Sequence, residues 1–193
     1  MTYLTRKALA ESLKKLLNKK TLNKITVSDI TAGCGVNRQT FYYHFHDVYE
    51  LVDWILAEEV KRNTEEGFTT DNWRDVITRL MDSFLKDRRF IINVYDSLNR
   101  KELEKYMAVF VKPAVTGIVK EISRGYRVDD DDVEFLIFML TAALMGVMAE
   151  WIGDGMDDSY RRRLDKFFVM LDGIVEYVLQ KFEKRLHADS EKP

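Results

Sequence analysis

"ITVSDITAGCGVNRQTFYYHF", residues 25–45, decides how this chain folds. Thr26 suits a helix N-cap, and Val27 and Ile30 behind it stand three apart on one helical face, so a helix of about two turns starts there. Gly33 and Gly35 both offer a stop. Asn37 caps a further helix, in which Phe41 and Phe45 stand four apart and share a face. At about 100° per residue, Phe41 and Phe45 point inward together while Gln39 and Tyr43 face almost directly away. Thr40 and Tyr42 fall on opposite flanks. Upstream, Leu9, Leu13, Leu16 and Leu17 form the stripe of a helix over Thr5–Leu17 with Thr5 at its cap. Downstream, Asp47 caps a fourth helix bearing Leu51, Ile55 and Val60. Three short helices in so little chain, the last two joined by a tight turn, make a helix-turn-helix.

The outward side chains of the third helix suit a nucleic-acid groove. Arg38 and Gln39 lie in its first turn, from which a helix laid in the major groove reaches base edges most easily. Glutamine pairs with adenine and arginine with guanine, while threonine, tyrosine and histidine suit phosphate oxygens or a thymine methyl. The plainer alternative is an amphipathic helix with a merely wet outer face. Two exposed tyrosines speak against it, because aromatic rings in water gain nothing unless a partner covers them.

Composition agrees with a helical, globular chain. Of 193 residues, 46% are hydrophobic and 32% charged, with proline only at 113 and 193, so an all-α fold with a sizeable core is expected. The single cysteine, Cys34, excludes an intrachain disulfide and fits a reducing compartment. The apolar run Phe135–Leu144, between Glu134 and Glu150, is short for a bilayer, and the N-terminus lacks a signal-peptide core; a cytoplasmic protein without a membrane partner is expected. Residues 1–49 hold eight basic and three acidic side chains, a net +5, so the rest carries −7 of the total −2. A basic module on an acidic body meets the need of phosphate-backbone binding, although a solvated basic face would look the same.

The run "ITVSDITAGCGVNRQTFYYHFHDVYEL" resembles the N-terminal helix-turn-helix of the TetR family of bacterial transcriptional regulators, with Thr26, Ile30, Gly35, Val36, Thr40, Tyr42 and Phe45 in register. The resemblance implies a homodimer whose paired helices read a palindromic operator in double-stranded DNA, and a C-terminal domain that senses a signal. It places Arg38, Gln39, Thr40, Tyr42, Tyr43 and His44 where the family contacts DNA, with Thr26 and Ser28 near a phosphate. Where the family often has a lysine opening the fourth helix, this chain has Val48. The stretches "NRQTF" and "GVMAEWIGDGMDDSYRRRL", residues 37–41 and 146–164, are similar to the subgroup that includes regulators of dihydroxyacetone kinase operons, some of them activators controlled by a partner protein. Repression relieved by an unidentified small-molecule effector is the default expectation; the alternatives are an activator, or a helical interaction module answering to a partner protein. Acidic residues on the Gln39 and Tyr43 face would favour such a module, and none is there.

A helix-turn-helix domain over 1–48 is therefore expected, joined by a linker helix to a helical-bundle regulatory and dimerisation domain over 49–193. In that body helices are read near 72–86, 88–97, 100–124, 130–152 and 157–186, with Pro113 kinking the third. Trp73, Phe90, Tyr95, Met107, Phe110 and Met139 are candidate pocket residues, each equally at home in a core. The last two helices are candidates for the dimer contact through Leu144, Val147, Trp151, Leu171, Ile174 and Val178, one side against their own domain and the other against a twin. No catalytic, cofactor or metal site is read. Phosphate-cradling glycine loops, HExxH and GxSxG are absent, and the aspartates at 129–132 lack the ligand spacing of a calcium loop.

Overall fold

The computed structural model of the chain describes residues 2–69, 71–98, 100–157, 159–171 and 173–190, and within these the side chains of all but residues 100–103, 105–106, 110, 159–161, 187 and 189–190. Every regular element among them is a helix: α1 (Thr2–Leu17), a 3-10 turn (Leu22–Lys24), α2 (Val27–Cys34), α3 (Arg38–His44), α4 (Val48–Asn63), α5 (Trp73–Lys86), α6 (Arg88–Ser97), α7 (Arg100–Ser123), α8 (Asp130–Gly153), α9 (Ser159–Leu171) and α10 (Ile174–Ser190). They form two compact units, Met1–Asn63 with Leu80–Tyr106, and Thr64–Arg79 with Met107–Pro193. Packing thus groups α4 and α6 with the helix-turn-helix, a larger body than residues 1–48. Helices α5 and α7 each contribute to both units.

In the first unit, Leu9, Leu13 and Leu17 of α1 meet Ile30 of α2, Phe41 of α3 and Leu51 and Val52 of α4 in one buried core. Each such side chain contributes roughly 1.5–3 kcal/mol when fully buried. The two glycines of α2 have separate tasks. Gly35 takes the left-handed conformation, φ 72°, that ends the helix. Gly33 lets α2 approach α1, since a Cβ there would stand 2.2 Å from Ser12 Oγ, which itself donates to the Ile30 carbonyl at 2.7 Å. Helix α1 begins earlier than its Thr5 signal because Tyr3 packs edge-on against Trp54 at 5.9 Å and donates to Glu58 of α4 at 3.1 Å. Helix α6 grips the other end of α1: Asn93 donates to the Leu17 carbonyl at 2.9 Å, and Lys14 pairs with Asp87.

The second unit packs Val119 of α7, Leu136, Ile137, Leu144 and Trp151 of α8, Phe167 and Phe168 of α9 and Leu179 of α10. Arg185 Nη2 donates to both oxygens of buried Asp132, at 2.6 and 2.8 Å, tying α10 to the start of α8. The stretch read as one helix over 157–186 is two, because Gly173 adopts φ 76° and α10 restarts behind it. Helix α7 continues through Pro113 to Ser123. Helix α8 is, by length and composition, apolar enough to cross a membrane, unlike the shorter run counted from the sequence. Its Leu136, Leu144 and Trp151 are buried in this unit, as in any core helix.

Candidate DNA-reading surface and body cavity

Two caps aim α3. Asn37 Oδ1 accepts from the Thr40 backbone N–H at 2.7 Å and from the Thr40 hydroxyl at 3.0 Å. At the start of α2, Thr26 Oγ1 accepts from the Asp29 N–H at 3.2 Å, while Asp29 Oδ2 accepts from the Thr26 N–H and hydroxyl at 2.9 and 2.8 Å. This is a reciprocal capping box, and the backbone bond from Thr26, followed by its hydroxyl, holds the Asp29 carboxyl below its ordinary pKa. The hydroxyls of Thr26 and Thr40 are therefore engaged in fixing the turn. Ser28 is exposed beside them.

Beyond these caps α3 splits as its period requires. Phe41 and Phe45 are buried, while Arg38 and Gln39 are exposed, Tyr42 is 51% exposed and Tyr43 80%. The Tyr42 ring stands edge-on to Phe41 at 5.6 Å and Tyr43 edge-on to His44 at 4.9 Å, which limits the freedom of both phenols. His44 is half-buried, and its Nδ1 is enclosed without a hydrogen-bond partner among the described residues. Burial first, and the nearby Arg6 second, push its pKa below the ordinary 6.5. At neutral pH it offers a phosphate an N–H rather than a charge. Val48 is half-buried at the start of α4, whose cap is Asp47 accepting from Glu50 N–H at 2.8 Å. Of the basic residues, Lys14 is taken by Asp87 and lies over the Phe90 ring, and Lys20 pairs with Asp29 at 3.4 Å. Lys7, Lys15, Lys19 and Lys24 are exposed and make no ion pair among the described residues.

A cavity of about 100 Å³ opens within the second unit, between α5, α7, α8, α9 and α10. Of the candidate pocket residues whose side chains are described, only Trp73 lines it. Phe90 and Tyr95 lie on α6 in the first unit, Met107 is core on α7, Met139 is exposed on the far side of α8, and the Phe110 side chain lies outside the described residues. Sequence reasoning missed Ile118, Ile122, Phe167 and Glu176, which do line it; in an all-helical body nothing local distinguishes cavity wall from core.

The candidate dimer residues are divided likewise. Trp151 is 2% exposed, its indole N–H donating to the Asp157 carbonyl at 3.3 Å, and Leu144 is buried, so neither has surface to offer a second chain. Leu171 lines the cavity. Val147, Ile174 and Val178 are half-buried. What α8 exposes is the row Phe135, Phe138 (65% exposed) and Met139, continued by Ala142 and Gly146, with Tyr177 exposed on α10.

Groups of acidic, histidine and cysteine side chains able to hold a metal do not occur among the described residues. A short capped helix that buries two phenylalanines and turns arginine, glutamine and tyrosine outward, on a basic module with a helical body, defines a helix-turn-helix DNA-binding regulator. Residues 10–53 match the model of bacterial regulatory proteins of the tetR family, and residues 71–173 match a transcriptional regulator C-terminal region. The chain belongs to the TetR family of DNA-binding transcriptional regulators. It is 22% identical over 161 residues to the HTH-type dhaKLM operon transcriptional activator DhaS of Lactococcus lactis subsp. lactis (strain IL1403), covering 81% of this chain and 85% of that protein. The solved structure of a dihydroxyacetone kinase operon activator DhaS shares the fold, with a TM-score of 0.69 at 20% identity over 94% of this chain and 99% of the other.

Proposed function

We propose that this regulator acts in the cytoplasm as a homodimer, each copy laying α3 in the major groove of one half of a palindromic operator, and that it represses until a small-molecule effector releases it. The observation that carries the reading is the outer face of α3: Arg38, Gln39 and Tyr43 are exposed and aimed by two caps over a buried phenylalanine pair. Arg38 and Gln39 read base edges, Tyr42, Tyr43 and Ser28 contact the backbone or a thymine methyl, and Thr26, Thr40 and His44 position them. The exposed row on α8, with Tyr177 of α10, is the surface a twin covers, since an apolar patch of that kind marks an interaction site. Activation is the second reading, supported by the Lactococcus relative, which is an operon transcriptional activator.

Selection of bound fragments from a random DNA pool tests the first part. Enrichment of two inverted half-sites about one helical turn, or a multiple, apart supports it; enrichment of a single unpaired half-site, or of no sequence, defeats it. A reporter behind that operator then separates repression from activation by the sign of its response to the regulator.

A further inference from the structure

We propose that the cavity of the second unit is a receptor for a small apolar amine held as its ammonium ion, with Glu176 as the counter-ion. Its walls are aliphatic and aromatic, among them Ile118, Ile122, Leu140, Phe167 and Trp73, and Glu176 is the one ionisable side chain among the described lining residues. An apolar wall takes a hydrocarbon tail, whereas an ammonium brought out of water needs an opposite charge beside it. An anion would meet the Glu176 carboxylate and no cation among the described lining residues; Arg74, whose guanidinium lies over the Trp73 ring, is not one of them. The position of Glu176 in the first turn of α10 favours a carboxylate there in its own right. That it makes no ion pair among the described residues leaves its charge available to a ligand. Size narrows the class further: about 100 Å³ is well below the roughly 300 Å³ at which pockets for drug-sized ligands begin, so a small ligand with a chain of roughly four carbons fits.

The inference rests on reading the body as the sensing part of the regulator, and it is tested without DNA so that operator binding has no bearing on the result. Calorimetric titration compares n-butylammonium with 1-butanol, its neutral isostere, on the full chain. The ammonium is expected to bind about tenfold tighter or more, Glu176→Gln to abolish that preference while leaving 1-butanol unchanged, and Ala114→Leu, which fills the cavity, to remove both. Equal binding of the two probes by the parent, or a preference that survives Glu176→Gln, overturns the amine class and leaves the sensing role standing. Failure of both probes to bind the parent overturns the cavity as a receptor altogether.

Discussion

At the scale of single residues, Gly33 shows how closely α2 is fitted to α1. An added Cβ meets Ser12 Oγ, whose hydroxyl also satisfies the Ile30 carbonyl. Gly33→Ala should destabilise the first unit by roughly 1–3 kcal/mol, the usual cost of overpacking. In a Ser12→Ala background most of that cost should vanish, because the next atom, Ser12 Cβ, is at an ordinary 3.4 Å. Denaturant melts of the two single variants and the double decide it; strictly additive losses would show that the two residues do not press on each other. His44 gives a second prediction. Its folded pKa lies below 6.5, so as pH falls through the ordinary histidine value the unfolded chain takes up the proton first and stability is lost. Lowering pH from about 7.5 to about 5.5 should reduce the melting temperature of the parent more than that of His44→Asn; Asp29, whose pKa is also depressed, titrates below this window. Equal slopes would remove His44 as the cause. Neither effect is legible from the sequence, because Ser12 and Arg6 reach α2 and α3 only through the tertiary fold.

At the scale of elements, caps and periodicity carried the reading of the first unit well. Thr26, Asn37 and Asp47 all serve as the caps their residue types suggest, and the inward pair of α3 is buried. Phe41→Ala or Phe45→Ala should therefore cost roughly 3–5 kcal/mol and unfold the first unit at lower denaturant than the second, which hydrogen exchange resolves unit by unit. Unchanged protection of α1 to α3 in either variant would mean that these rings are not the core. The later elements were less legible for physical reasons. Helix α8 is apolar on nearly all sides, so its sequence has no period from which to tell the face packed inside, Leu136, Leu144 and Trp151, from the face left outside, Phe135 and Phe138. The break at Gly173 was written in the chain, but a lone glycine within an apolar helical pattern is tolerated often enough to be passed over.

At the scale of the whole molecule, the charge division and the exposed row on α8 belong to one account. A net +5 on residues 1–49 against −7 on the remainder should draw the DNA backbone to the reading module and repel it from the remainder of the chain. Two half-sites bound together give the specific affinity that one short helix cannot. Phe138→Glu should convert the proposed dimer to a monomer that remains folded, since the ring is 65% exposed in the single chain and a charge inside an apolar contact is costly. Sedimentation of parent and variant at micromolar concentration checks this, and a variant that stays dimeric would move the contact elsewhere.

The central claim is that the outer face of α3 reads base edges. It is tested most directly by measuring the affinity of the parent, Gln39→Ala and Tyr43→Ala for the selected operator and for each of its single-base variants, with melting followed in parallel. The account predicts unchanged melting and, for Gln39→Ala, the loss of about 1–3 kcal/mol of discrimination confined to one base pair of each half-site. Tyr43→Ala should weaken binding without unfolding the helix. A folded pair of variants that keeps the base preferences and affinity of the parent at every position would contradict it.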